Sequence, residues 1–141
     1  MKGRRLLPVL LLAWCTYMTA YLCRVNLSAV LDKLAGGLGV SVEYLGLTSS
    51  VYFVVYAVGQ LLNGAVGDRV NPYHFVMLAL ASTGGINLIL AFQTSGTAFT
   101  ILWGLNGFCQ SMFWSTLLRL LSFHTQEGQR KNVSAVMSTC S

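Results

Sequence analysis

Apolar residues run along this chain in long blocks separated by short polar or glycine-bearing gaps. Four blocks stand out, over residues 6–31, 45–67, 72–92 and 97–123. Each exceeds the ~20 residues that a helix, rising about 1.5 Å per residue, needs to cross a bilayer core. Helix is the form they must take, because lipid offers no partner to an unpaired backbone amide. The gaps predict the ends. Residues 32–44 read as a glycine-rich loop, with Ser41 as an N-cap and Glu43 in the following first turn. Val70 and Asn71 read as a tight turn, and Pro72 opens a helix where its missing N–H is harmless. Residues 93–96 read as another turn, and 124–131 are the most polar stretch. The first block is too long for a cleaved signal. A fifth apolar run, 132–141, covers about 15 Å, half a membrane. The expectation is a helix cut part-way, in a piece of a longer protein. The alternative is an interfacial tail on a complete four-helix protein.

Composition narrows the class. Hydrophobic residues make up 55% of the chain and charged residues 9%, against about 25% charged in a soluble domain. A soluble fold would be left sticky, and a disordered chain would be far less apolar. The nine Lys and Arg residues are scattered, so a nucleic-acid partner is excluded and a lipid bilayer is the expected surrounding. Lys2, Arg4, Arg5, Arg69, Arg119, Arg130 and Lys131 fall on one side of the predicted membrane, and only Lys33 falls opposite. By the positive-inside rule the N-terminus is cytoplasmic, in a multi-pass protein of the cell membrane. Cys15, Cys23, Cys109 and Cys140 lack metal-ligand spacing and read as small buried hydrophobes. No cofactor or metal is expected. No nucleophile triad, deep acid pair or phosphate-cradling loop points to an enzyme.

Arg24 is the charge out of place, lying inside the first block about 8 Å from its midpoint. A central arginine costs about 2.5–3.5 kcal/mol on insertion scales. Either it snorkels to the outer interface or it faces protein or a wet cavity. Tyr17, Tyr21, Arg24 and Ser28 follow i, i+4, i+7, i+11 and share an arc of about 60° on the helix. Guanidinium and phenols on one stripe suit a small anionic solute, since the arginine fork matches phosphate or carboxylate. The acids Asp32, Glu43, Asp68 and Glu127 all stand at or beyond block ends, so this part holds no deep carboxylate to carry a proton. That favours anion exchange over proton symport. Tyr52, Tyr56 and Gln60 form a further polar line continuing to Gly64, and Asn106, Gln110 and Trp114 form another. Most of these read as packing and interhelical hydrogen bonds, as do Gly46, Ser49, Ser50, Gly59, Gly84, Gly85, Gly104 and Gly107. Gln110 and Trp114 are the better candidates for lining a cavity.

Three stretches resemble one family. GAVGDRVNPYH, residues 64–74, is similar to the cytoplasmic loop motif GxLaDRxGRR of the major facilitator superfamily. Gly64, Asp68 and Arg69 match, while Asn71 replaces the second glycine and Pro72 and Tyr73 replace the basic pair. The DRxNP form resembles the organophosphate:phosphate antiporters, which include glycerol-3-phosphate and hexose-phosphate transporters. YxxxYxxRxN, residues 17–26, resembles their first helix, whose arginine binds substrate phosphate. NGFCQSMFW, residues 106–114, resembles their NGxxQGxGW fourth helix, with Ser111 and Phe113 in place of glycines and Ser115 where a proline follows. YLCRVNLS also resembles YLDRVNLS of the anion:cation symporters, with Cys23 in place of Asp, which ranks that family second.

The resemblance implies an all-α, polytopic transmembrane bundle. The chain would be the N-terminal part of a twelve-helix, two-half carrier, truncated in the fifth helix, with the missing C-terminal part as its partner. Substrate would be gripped by Arg24 with Tyr17, Tyr21, Gln110 and Trp114. Gly64, Asp68 and Arg69 would form the cytoplasmic gating motif, with Arg119 as an ionic partner of Asp68. A carboxylate symporter of the same fold, and a transporter-like sensor of sugar phosphates, remain as alternatives.

Overall fold

The computed structural model describes residues 6–124 and 130–139. Lys2, Arg4, Arg5, Glu127 and Cys140 lie outside the described residues, as do the side chains of Asn26 and Arg130. Six helices follow one another among the described residues: α1 (Leu6–Ala29), α2 (Leu31–Leu38), α3 (Val42–Gly67), α4 (Pro72–Leu90), α5 (Gly96–His124) and α6 (Arg130–Ser138). The expected helix ends have local causes. The Ser41 hydroxyl accepts the Tyr44 N–H at 3.2 Å, and the Asn71 side chain accepts the Tyr73 N–H at 3.0 Å, just ahead of Pro72. Both use side-chain oxygens to satisfy amides that the first helical turn leaves free.

The loop expected over 32–44 is a correction, since most of it is helix α2. Glycine costs up to about 1 kcal/mol per helical position, but Gly36 and Gly37 occupy the exposed face. Ala35 and Leu38 are buried where α2 meets α1 and α3, in one apolar cluster with residues of α4 and α5, and Leu34 packs beside them. Burial of that face outweighs the weak propensity. Gly39 ends the helix at φ +64°, a left-handed conformation open to glycine.

Helices α1, α3 and α4 are long and apolar enough to cross a membrane. The block expected as a fourth span folds as the 29-residue α5, but it is not among the helices apolar enough by that measure. The reason is its place in the bundle. It packs along α3 and α4 and, less closely, on α1, and its Asn106, Gln110, Ser111 and Thr116 are turned inward and buried. The outer faces of α1, α3 and α4 carry exposed Leu11, Leu12, Leu22, Phe53, Leu61, Met77 and Leu88, as a lipid-facing surface requires.

Two apolar clusters hold the bundle. One joins Ala13, Tyr17 and Ala20 of α1 to Val76 and Ala79 of α4 and Phe113, Leu117 and Leu121 of α5. The other joins Leu27, Leu45, Tyr52, Leu90, Phe99 and Trp103 with the buried side of α2. Close approach of α3 and α5 rests on Gly59 and Gly107. A Cβ on Gly107 would lie 2.8 Å from the Tyr52 carbonyl oxygen, and one on Gly59 would lie 2.5 Å from Ser111 Oγ. Cys15 is exposed, and Cys23 and Cys109 are half-buried, not buried as expected. In a lipid-facing helix an apolar thiol does not need covering by protein.

Candidate functional site

Arg24 is half-buried and turned inward, toward α3 and α5. Its Nε–H donates to the Tyr52 hydroxyl at 2.9 Å and lies 3.4 Å from Gln110 Oε1. The Tyr52 hydroxyl in turn donates to Gln110 Oε1 at 2.7 Å. Three helices thus meet at one side chain. The guanidinium carbon lies 4.6 Å from the centre of the Tyr56 ring, 5.7 Å from that of Tyr52 and 5.8 Å from that of Tyr21. A desolvated cation over an aromatic face gains about 0.5–2 kcal/mol, which offsets part of the cost of holding Arg24 in the membrane. Tyr56 is itself held, because Gln60 Nε2 donates to its hydroxyl at 2.9 Å and its ring stacks on Tyr52.

A cavity of about 240 Å³ opens beside this cluster, lined by Tyr21, Arg24, Ser28, Ser49, Tyr52 and Trp103 with Val25, Leu27 and Phe53. Asp32, Glu43 and Asp68 are exposed near helix ends, and among the described residues no ion pair joins Arg24 to an acid. The bonds to Tyr52 and Gln110 draw the guanidinium inward, not along the snorkelling path to the outer interface. The cation faces a groove between helices, and no acid among the described residues neutralises its charge.

The predicted residues divide. Tyr21 and Arg24 line the cavity. Gln110 stands behind the wall, 1% exposed and bonded to Tyr52, while its Nε2 has no partner among the described residues. Tyr17 and Trp114 are not among the lining residues. They pack on each other with ring centres 5.3 Å apart, in and beside the other apolar cluster. Ser28 lines the cavity and donates to the Val25 carbonyl at 2.9 Å. Tyr52 and Tyr56, read from sequence as packing residues, are the nearest partners of the arginine. Trp103 carried no signal, being one more apolar residue in an apolar run. Among the described residues, no group of three His, Cys, Asp or Glu side chains gathers to hold a metal.

The loop motif takes a different form from that expected. Asp68 and Arg69 are exposed at the end of α3, and a Cβ on Gly64 would meet open space. Arg119 does not pair with Asp68. Its Nη1 donates to the carbonyls of Gly67 and, at 3.1 Å, Val70, and its guanidinium lies over the Phe123 ring. A cation bonded to the last carbonyl of α3 and to one in the turn that follows satisfies an acceptor that the helix leaves free and complements its dipole. A Cβ on Gly67 would make ordinary contact with Phe75 and Thr116, at 3.5 and 3.6 Å.

Several known proteins are similar to this chain. The membrane sensor protein UhpC of Escherichia coli (strain K12) is 30% identical over 131 residues, covering 93% of this chain and 30% of that protein. A probable hexose phosphate transport protein of Chlamydia trachomatis is 27% identical over 123 residues, 87% of this chain and 27% of that protein. A putative tartrate transporter of Agrobacterium vitis is 25% identical over 132 residues, 94% of this chain and 29% of its own. The chain therefore spans less than a third of the length of these relatives. No solved structure matches it at a significant level. Residues 12–141 match the Major Facilitator Superfamily, and with nearly the whole chain covered, this protein belongs to that superfamily of membrane transporters.

Proposed function

We propose that the chain forms part of a secondary carrier of organic anions, exchanging an organophosphate for phosphate, with Arg24 gripping the anion. One observation carries the reading: a half-buried guanidinium on a helix long and apolar enough to cross a membrane, without an acid partner among the described residues, faces a cavity walled by α1, α3 and α5. Planar donors of this kind match phosphate or carboxylate oxygens in pairs. Tyr21 offers a hydroxyl beside it, while the hydroxyls of Tyr52 and Ser49 are engaged with Gln110 and the Leu45 carbonyl, and Gln110 holds Tyr52 from behind. Tyr17 and Trp114 would act at one remove, through the packing that fixes α1 against α5. In a carrier of the relatives' length, a second half would close the open side of the cavity, and rocking of the halves would expose the anion to each side in turn. The N-terminus would be cytoplasmic, in the cell membrane. Asp68 and Arg69 would work at the cytoplasmic closure, with Arg119 steadying the end of α3.

The test is exchange in proteoliposomes, using the protein as its gene encodes it. Internal phosphate should drive uptake of a labelled organophosphate. Arg24→Lys should lower that exchange by about tenfold or more, because an ammonium lacks the paired fork. Equal exchange by Arg24→Lys and the unchanged protein refutes the assignment. Tartrate uptake with no phosphate exchange would instead place the protein with carboxylate carriers.

A second reading, a sensor of the same anion in place of a carrier, is supported by the name of the Escherichia coli relative, a membrane sensor protein. Loss of a transcriptional response to external sugar phosphate on gene deletion, with uptake intact, is its signature.

A further inference from the structure

A second cavity of about 280 Å³ lies next to the first, lined by Leu27, Val30, Leu34, Asn87, Leu90, Ala91, Phe99 and Trp103. Leu27 and Trp103 line both cavities, and each is 5% exposed. They form the wall between a space that holds a cation and a space that is apolar apart from Asn87. The wall is firmly built. The Trp103 ring stacks on Phe99 with centres 6.0 Å apart and lies 5.3 Å from the Tyr52 ring, which itself holds Arg24. The amide of Asn87 is engaged with the Thr83 carbonyl at 2.8 Å and with Asn106 Oδ1 at 3.3 Å. The second cavity therefore offers apolar surface more than free hydrogen-bonding groups.

We infer that Trp103, with Leu27, determines specificity by ending the anion cavity, so that this protein takes compact organic anions and excludes those with extended apolar tails. The inference rests on the proposed anion reading. Each cavity alone is smaller than the ~300–1,000 Å³ of a pocket for a drug-sized ligand, and the two joined would fall within that range. An anion held at Arg24 places its organic part against the indole and the Tyr52 ring. A short body fits there, whereas a longer chain meets the Trp103–Leu27 wall. Shortening either side chain joins the spaces and gives an alkyl tail an apolar channel reaching under α2.

The experiment compares binding of methyl phosphate and hexyl phosphate to the purified protein, as its gene encodes it, by titration calorimetry in detergent. The unchanged protein should prefer methyl phosphate. Trp103→Ala should shift the affinity ratio toward hexyl phosphate by about tenfold or more, as expected when a pocket gains room for several methylenes. Leu27→Ala approaches the same wall from α1 and should shift the ratio in the same direction, so the test survives if the tryptophan variant does not fold. Binding of neither phosphate to the unchanged protein overturns the anion reading and this inference with it. Binding of methyl phosphate, with an unshifted ratio in the folded variants, overturns this inference alone.

Discussion

The Tyr52 hydroxyl accepts the Arg24 Nε–H at 2.9 Å, tying α3 to the only arginine within α1. The same hydroxyl donates a hydrogen bond to Gln110 Oε1, so the phenol sets the guanidinium's direction and is itself set by α5. Tyr52→Phe keeps the ring, its stacking on Tyr56 and its packing on Trp103, and removes the hydroxyl with its bonds to Arg24 and Gln110. Hydrogen bonds to charged groups are worth about 1.5–3 kcal/mol, and part of that holds the fork in place for a ligand. Affinity for inorganic phosphate, measured by calorimetry, should fall by about tenfold, with a smaller change in thermal stability. An unchanged affinity would show that Arg24 needs no support from α3.

Packing of α3 on α5 predicts a contrast between two glycines. Alanine at Gly107 would push its Cβ into the Tyr52 backbone carbonyl at 2.8 Å and into the ring at 3.0 Å. Backbone cannot swing aside, so the helices must separate. Gly107→Ala should cost about 1–3 kcal/mol, the usual range for overpacking, and should weaken anion binding by displacing Tyr52. Gly84→Ala, where a Cβ meets nothing within 4 Å, should leave melting unchanged or raised, since alanine is the better helix former. Equal melting temperatures for the two variants in detergent would contradict the close approach.

Helix α2 gives a second contrast, one that isolates backbone conformation from space. A Cβ added at Gly36 or at Gly39 would meet no atom within 4 Å, but only Gly39 has φ +64°. Gly39→Ala should destabilise by about 1–2 kcal/mol through the left-handed strain of an L-residue. Gly36→Ala, in an ordinary helical conformation, should stabilise by up to about 1 kcal/mol. Opposite shifts in unfolding by denaturing detergent are expected, and shifts of one sign would disagree with the helix ending at Gly39.

Helix positions and the odd charge were legible in sequence because each rests on one helix at a time. Length, apolar run and capping residues are local, and a lone arginine in an apolar run stands out wherever it points. The stripe of Tyr17, Tyr21, Arg24 and Ser28 was legible as a shared face, yet the bundle divides it. Tyr17 meets Trp114, while Tyr21, Arg24 and Ser28 meet the cavity. Periodicity says which residues share a face, but not the rotation and axial offset of the helix opposite. For that reason Tyr52 and Tyr56 were visible as a polar line and their partner was not. Of the small residues read as packing positions, Gly59, Gly104 and Gly107 meet a neighbour across the interface, and Gly46, Gly84 and Gly85 meet open space. The helix α2 was hidden by its glycines, because propensity is a local quantity and the burial that overrides it is not. Arg119 illustrates a further limit. Its position near the loop was legible, but its acceptors are backbone carbonyls, which every residue carries and no sequence pattern marks.

Arg119 also yields a prediction that separates the expected ion pair from the observed bonds. If Nη1 holds the Gly67 and Val70 carbonyls, Arg119→Ala leaves those acceptors, at the end of α3 and in the turn after it, without their charged donor. A loss of about 1.5–3 kcal/mol is expected, the range for hydrogen bonds to a charged group. Asp68 is exposed and contributes to this arrangement through its backbone, whose N–H bonds to the Gly64 carbonyl at 3.2 Å. Asp68→Asn keeps that amide and should change stability by less than about 0.5 kcal/mol, as surface substitutions usually do. The double variant then decides the matter. Without a carboxylate–guanidinium pair, the two changes should add to within about 0.5 kcal/mol in a double-mutant cycle. A coupling energy well above that, measured by unfolding in mixed detergent micelles, would restore the ion pair and remove the carbonyl-capping role assigned to Arg119.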